Sequence, residues 1–133
     1  MLIKSDTRSF YEMIGGEEPL RRLVKRFYEY MDASSETQIV RDMHQPDLQS
    51  AEEKLFMFLS GWMGGPSLYI EKFGHPRLRM RHLPFKISEA ERDQWMLCMR
   101  HALDDVVDDQ SVREQLYNAL YGVADFMRNQ PEG

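Results

Sequence analysis

Apolar residues recur along this chain at helical spacing, and the pattern divides it into amphipathic segments. Leu20, Leu23, Val24, Phe27, Tyr28 and Met31 share one face of a helix predicted to start near Pro19, since proline suits a first turn. Ala51, Leu55, Phe58, Leu59 and Trp62 form the inner side of a second helix. Trp95, Cys98, Met99, Ala102 and Val106 mark a third, and Val112, Leu116, Leu120, Val123, Ala124 and Met127 a fourth. A short helix around Phe10, Tyr11 and Met13 precedes them and is stopped by Gly15-Gly16. No segment alternates like a half-buried strand, and no period suggests repeats. The expectation is an all-α domain of about five main helices joined by short or moderate loops.

Polar residues punctuate the same segments. Four Ser/Thr-x-x-Glu/Gln sequences have the form of capping boxes: Ser35…Gln38, Ser50…Glu53, Ser88…Glu91 and Ser111…Glu114. One box is a weak signal; four that agree with the apolar periodicity are a strong one. Gly64-Gly65-Pro66 ends the second long helix and permits a change of direction. A short element around Leu68, Tyr69, Ile70 and Phe73 then leads into the run Gly74 to Ile87. There Pro76 can open a short helix and Pro84 must close it, which puts His82 on the last turn.

Length and composition narrow the classes. The 133 residues suit one domain, 1–133, with 1–8 and 129–133 as loosely ordered ends. No apolar run is long enough to span a bilayer, and the opening Met-Leu-Ile-Lys-Ser-Asp-Thr-Arg lacks a secretory core. Cys98 is the single cysteine, so disulfide frameworks and multi-cysteine zinc sites are excluded. A cytoplasmic protein with no membrane partner is expected. The net charge of −5 argues against general affinity for nucleic acid. Ten methionines suit an adaptable core or one that wraps a large apolar ligand.

The run from Gly74 to Ile87 is where chemistry concentrates. It holds His75 and His82 with Arg77, Arg79, Arg81 and Lys86. An imidazole fixed between prolines beside cations fits an iron or zinc ligand near an anionic group. It fits equally a nucleic-acid patch, or a solvated turn with a buried histidine. His75, before a proline, suits a loop or capping role. Asp104, Asp105, Asp108 and Asp109 lack the pattern of a calcium loop, and Cys98 with His101 gives only two zinc ligands. A closed zinc cage at His82 would need three further ligands close by. A haem asks for as little as one imidazole, with apolar walls and cations for its propionates. Leu55, Phe58, Met80, Phe85, Ile87, Trp95 and Met99 can supply walls; Lys54, Arg79 and Tyr69 can face propionates. Tyr28, Trp95 and His44 can each donate a hydrogen bond to a ligand.

At these residues the sequence resembles the group II (O-type) truncated haemoglobins over nearly its whole length. The resemblance is carried by Ser9-Phe10-Tyr11 with Gly15-Gly16, Arg26-Phe27-Tyr28, Asp47-Leu48, and Ala51-Glu52-Glu53-Lys54-Leu55. Gly64-Gly65-Pro66, the run Gly74 to Ile87, and Glu91-Arg92-Asp93-x-Trp95 complete it. The resemblance implies a truncated globin-like two-over-two helical sandwich around one haem b, with His82 as proximal iron ligand. It implies Tyr28, Trp95 and His44 on the distal side, and Ala51 where larger globins often keep a histidine. Lys54, Tyr69 and Arg79 match propionate-side positions; Leu55 and Phe58 match distal walls. Oxygen, CO, NO or peroxide would be the small ligands, with an unidentified electron donor and a monomeric or homodimeric protein. Redox chemistry, sensing, or peroxidase-like or NO-oxidising activity then fits better than bulk oxygen transport. The competing expectation is a haem-free globin-like interaction or sensor module in which His82 is merely buried.

Overall fold

The structure, a computed structural model, describes residues 8–130. Among these residues the helices follow in the order α1 (Phe10–Ile14), α2 (Glu17–Ala33), α3 (Gln38–Asp42) and α4 (Gln49–Trp62). After them come α5 (Leu68–Phe73), α6 (Leu78–His82), α7 (Glu89–Val106) and α8 (Gln110–Phe126), and a 3-10 turn at Ser35–Thr37 precedes α3. Four helices are long rather than five, because α1, α3, α5 and α6 each make only one turn or a little more. Among the described residues no helix is long and apolar enough to cross a membrane.

The periodic faces decide the packing. α2 lies against α4 and α7, and α7 lies against α8, which gives a two-over-two sandwich of α2 and α4 over α7 and α8. Its centre is built from Leu20, Leu23, Phe27 and Met31 of α2, Leu59 of α4, Met96 and Met99 of α7, and Leu116 and Leu120 of α8. Burying each such side chain contributes about 1.5–3 kcal/mol. Buried Thr37 donates its hydroxyl proton to the Met31 carbonyl at 2.9 Å, and Ser60 to the Pro66 carbonyl at 2.7 Å. Neither hydroxyl is left unsatisfied, so neither incurs the cost of an unmet buried donor.

Helix ends follow the capping expectation in one of the four boxes. Ser88 caps α7 and its backbone N–H is returned by Glu91 at 3.0 Å, a reciprocal box. Elsewhere a residue slightly upstream takes the role. Ser34, not Ser35, accepts from Glu36 at the 3-10 turn. Asp47, not Ser50, accepts from the Gln49 N–H, and Asp109, not Ser111, caps α8. A carboxylate there is also favoured by the positive end of the helix, and a sequence with several candidate caps in a row does not say which will be used. A further reciprocal box, Ser9 with Glu12, opens α1.

α1 is locked onto the end of α4. The Tyr11 N–H donates to the Met63 carbonyl at 3.0 Å, and the Tyr11 ring lies over Gly65. A Cβ at Gly65 would stand 2.5 Å from that ring, so only glycine allows the approach. The glycines at 64–65 and the Ser-Phe-Tyr sequence at 9–11 are therefore two halves of one contact.

Two local expectations change. α6 begins at Leu78, not at Pro76, because Arg77 takes a left-handed conformation with φ 46° before it. Asn129, expected in a loosely ordered tail, is tied down instead. Its side-chain carbonyl accepts from the Ile87 N–H at 2.9 Å, and its amide donates to the Phe85 carbonyl at 2.8 Å. It also donates to the His82 carbonyl at 3.3 Å. The other expected loose ends, 1–7 and 131–133, lie outside the described residues.

Candidate functional site

The sandwich encloses a cavity of about 350 Å³ between α2, α3, α4, α6, α7 and α8. Leu55, Phe58, Leu59, Ile87, Leu120 and Met127 give it apolar walls. Tyr28, His44 and Trp95 line it on the side of α2, α3 and α7, and Leu78, Arg81 and His82 on the side of α6. Lys54, Arg81 and Phe85 are its exposed lining residues, so its mouth lies beside α4 and α6, with Tyr69 of α5 next to it.

His82 is prepared by its own helix. Its Nδ1 lies 2.6 Å from the Leu78 carbonyl, one turn earlier. A carbonyl oxygen only accepts, so Nδ1 carries a proton, and in a neutral ring the lone pair is then on Nε2. The same hydrogen bond fixes the ring orientation, the arrangement a metal-ligating histidine usually shows. The single turn of α6 brings residues 78 and 82 together; left-handed Arg77 sets its start and Pro84 stands just past its end.

The α2 and α7 walls carry hydrogen-bond donors. Tyr28 is 6% exposed, and burial holds its phenol well above the usual tyrosine range, so it stays protonated. Its ring meets Phe27 edge-on at 4.9 Å, and Phe27 meets Trp95 at 5.0 Å. The same core residue thus positions both side chains. Among the described residues neither the Tyr28 hydroxyl nor the Trp95 indole N–H has a protein partner. These donors remain available to whatever enters the cavity.

His44 is also in the cavity, with a polarity that differs from the expectation. Its Nδ1 donates to the Val40 carbonyl at 2.8 Å, and burial, the largest influence, lowers its pKa. Neutral His44 in this tautomer presents a lone pair at Nε2, so it is an acceptor rather than a donor. The Tyr28 ring packs on it at 5.7 Å.

The remaining sequence candidates divide. Ala51, Lys54, Leu55, Phe58, Tyr69, Phe85 and Ile87 line the cavity. Three do not. Arg79 turns away and donates to the carbonyls of Phe126 and Arg128, both at 3.3 Å. Met80 is more than half exposed, and Met99 is fully buried in the helical core. Arg81 is the cavity-side arginine of α6. Val123, Ala124 and Met127 were legible only as an apolar face of α8, which the core and the cavity share. Arg92 also lines the cavity, but its guanidinium is held by Asp125 at 2.7 Å and Asp93 at 3.0 Å. Its charge is already matched. Cys98 is buried in the core, where burial pushes its thiol up to about 12, and His101 stacks on Tyr30 instead. No group of three or more metal-binding side chains occurs among the described residues, and the cavity is lined by two imidazoles, His44 and His82.

Comparison with known proteins supplies the family. The bacterial-like globin family model matches residues 9–129. The chain is 41% identical over 122 residues to the group 2 truncated hemoglobin YjbI of Bacillus subtilis (strain 168), covering 92% of this chain and 89% of that protein. The group II 2-on-2 hemoglobin of Agrobacterium tumefaciens superposes with a TM-score of 0.90 at 42% identity, over 97% of this chain and 100% of that one. The cold-adapted truncated hemoglobin of Pseudoalteromonas haloplanktis TAC125 gives the same score and identity over 93% and 100%. On these matches, over nearly its whole length, the chain belongs to the bacterial-like globins as a group II truncated, two-on-two haemoglobin.

Proposed function

We propose that the cavity holds one haem b, with His82 as its iron ligand through Nε2, and that Tyr28 and Trp95 act on a diatomic ligand or peroxide at the other face. The observation that carries this reading is the hydrogen bond from His82 Nδ1 to the Leu78 carbonyl, which fixes the ring and puts the lone pair of the neutral imidazole on Nε2. When bound, the haem supplies an iron that takes small ligands and changes oxidation state. The chain supplies the rest. Leu55, Phe58, Ile87 and Met127 keep water from the buried end of the cavity, while Lys54, Tyr69 and Arg81 stand at its mouth, where propionates need cations and donors. Tyr28 keeps its proton and donates a hydrogen bond, and Trp95 donates a second from its indole.

Those two donors set the choice among haem functions. A hydrogen bond is worth about 1 kcal/mol net, so two slow ligand release on the order of thirtyfold. Slow release is poor for transport and suits redox chemistry, sensing, or removal of nitric oxide or peroxide. The test is optical and kinetic. Purified protein reconstituted with hemin should show a Soret band that His82→Ala loses, and Trp95→Phe should release oxygen about fivefold faster in stopped flow. A wild-type protein that stays colourless defeats the haem assignment; fast release indifferent to Trp95 defeats the preference for redox work.

A further inference from the structure

The charges of this molecule are unevenly placed. Residues 72–87 carry five lysines and arginines and no carboxylate, in a chain whose net charge is −5. Lys72, Arg77, Arg79, Arg81 and Lys86 are all exposed, and none forms an ion pair among the described residues. Elsewhere the arginines are matched: Arg26 with Asp105, Arg92 with Asp125, Arg100 with Glu114, Arg113 with Asp104. The unmatched cations stand among exposed apolar side chains. Ile70 is 54% exposed, Met80 53%, Leu83 54% and Phe126 61%. An apolar centre with a charged rim is the composition of a protein-docking surface, whereas a nucleic-acid surface is dominated by phosphate-binding cations. The face also has a definite place, since Tyr69 on α5 and Arg81 and His82 on α6 line the cavity whose mouth opens there.

We infer that the α5–α6 corner is the docking surface for an acidic electron-carrier protein. The inference rests on the haem reading above. Charge complementarity selects an acidic partner and raises its encounter rate, and the apolar side chains supply contact once it is seated. The position at the cavity mouth selects a redox carrier. One electron would pass from the carrier's iron–sulfur cluster or flavin to ferric iron held at His82, oxidising the donor and reducing the iron, with no atom transferred.

Oxidised plant-type ferredoxin, an acidic iron–sulfur protein, is the probe. Its binding to the haem-loaded protein is followed by calorimetry at low and at physiological salt. Binding should weaken with salt. The triple variant K72E/R77E/K86E should weaken it about tenfold or more at low salt, and K72Q/R77Q/K86Q by an intermediate factor. A variant with the same change in net charge on α2, R21E/R22E/K25E, should stay within about twofold of wild type, because steering depends on where charge sits. Each variant is compared at an unchanged Soret band. No detectable complex at low salt, or equal losses in the α2 and α5–α6 variants, would overturn the assignment. So would tighter binding to duplex DNA or to phosphatidylserine vesicles than to ferredoxin. A protein that fails to take up haem defeats the earlier reading, whereas a coloured protein indifferent to these charges defeats only this one.

Discussion

The four-helix body and the α5–α6 corner solve different problems with the same chain. α2 alone buries six side chains, while α5 and α6 bury none. In the body, arginines on α2, α7 and α8 reach carboxylates on a neighbouring helix, and the aromatic set Phe27, Tyr28 and Trp95 interlocks. In the corner, the helices are short, cations are unmatched, and the backbone is held by a few hydrogen bonds from Asn129 and Arg79. The body therefore carries its own stability and fixes the Tyr28 and Trp95 side chains. The corner carries His82 and the exposed cations, and it relies on what it touches. Segments with few buried apolar contacts open more readily than the packed core.

The sharpest way to break this contrast is to cut each region once. Phe27→Ala removes a fully buried ring and should cost about 3–5 kcal/mol in urea unfolding. Leu83→Ala removes an exposed side chain of the corner and should cost no more than about 0.5 kcal/mol. Similar costs would erase the distinction. Next in size is Asn129→Ala, which strips the hydrogen bonds that pin residues 82–87 to the end of the chain. Stability should drop by about 2 kcal/mol. Amide exchange should accelerate at 82–87 and leave the centre of α7 protected; uniform acceleration would mean the corner is not a separate unit.

The smallest effect is a pH dependence at the boundary of the two regions. Burial holds His44 below its ordinary value of 6.5, so the unfolded chain takes up the proton first. The stability contributed by neutral His44 is present above pH 6.5 and lost as pH falls below it towards the folded-state value. His44→Gln should flatten the slope of stability against pH in that window by up to about one proton. An unchanged slope would place the titrating group elsewhere.

Much of this molecule was written locally. Helical period, the glycine stops, the capping box at Ser88 and the Gly74 to Ile87 run all depend on residues within a few positions of each other, so the chain declares them in order. The helical class, the single turn that carries His82, and most of the cavity wall on α4 follow from that alone. Where neighbouring residues compete for one role, local reading divides wrongly, as it did between Ser111 and Asp109 for the α8 cap.

What only the tertiary structure decided concerns contacts between distant segments. Arg79 and Arg81 look alike beside His82, and their difference arises because the Phe126 and Arg128 carbonyls at the end of α8 capture one of them. His44 could have donated or accepted; the Val40 carbonyl one turn earlier and burial beside Tyr28 of α2 fix it as an acceptor. Met99 and Val123 sit on apolar faces alike, yet one faces core and the other cavity. Periodicity marks which side of a helix is dry, but it does not record what lies opposite. That is settled when the helices pack, and with it which cations find carboxylates and which are left facing water.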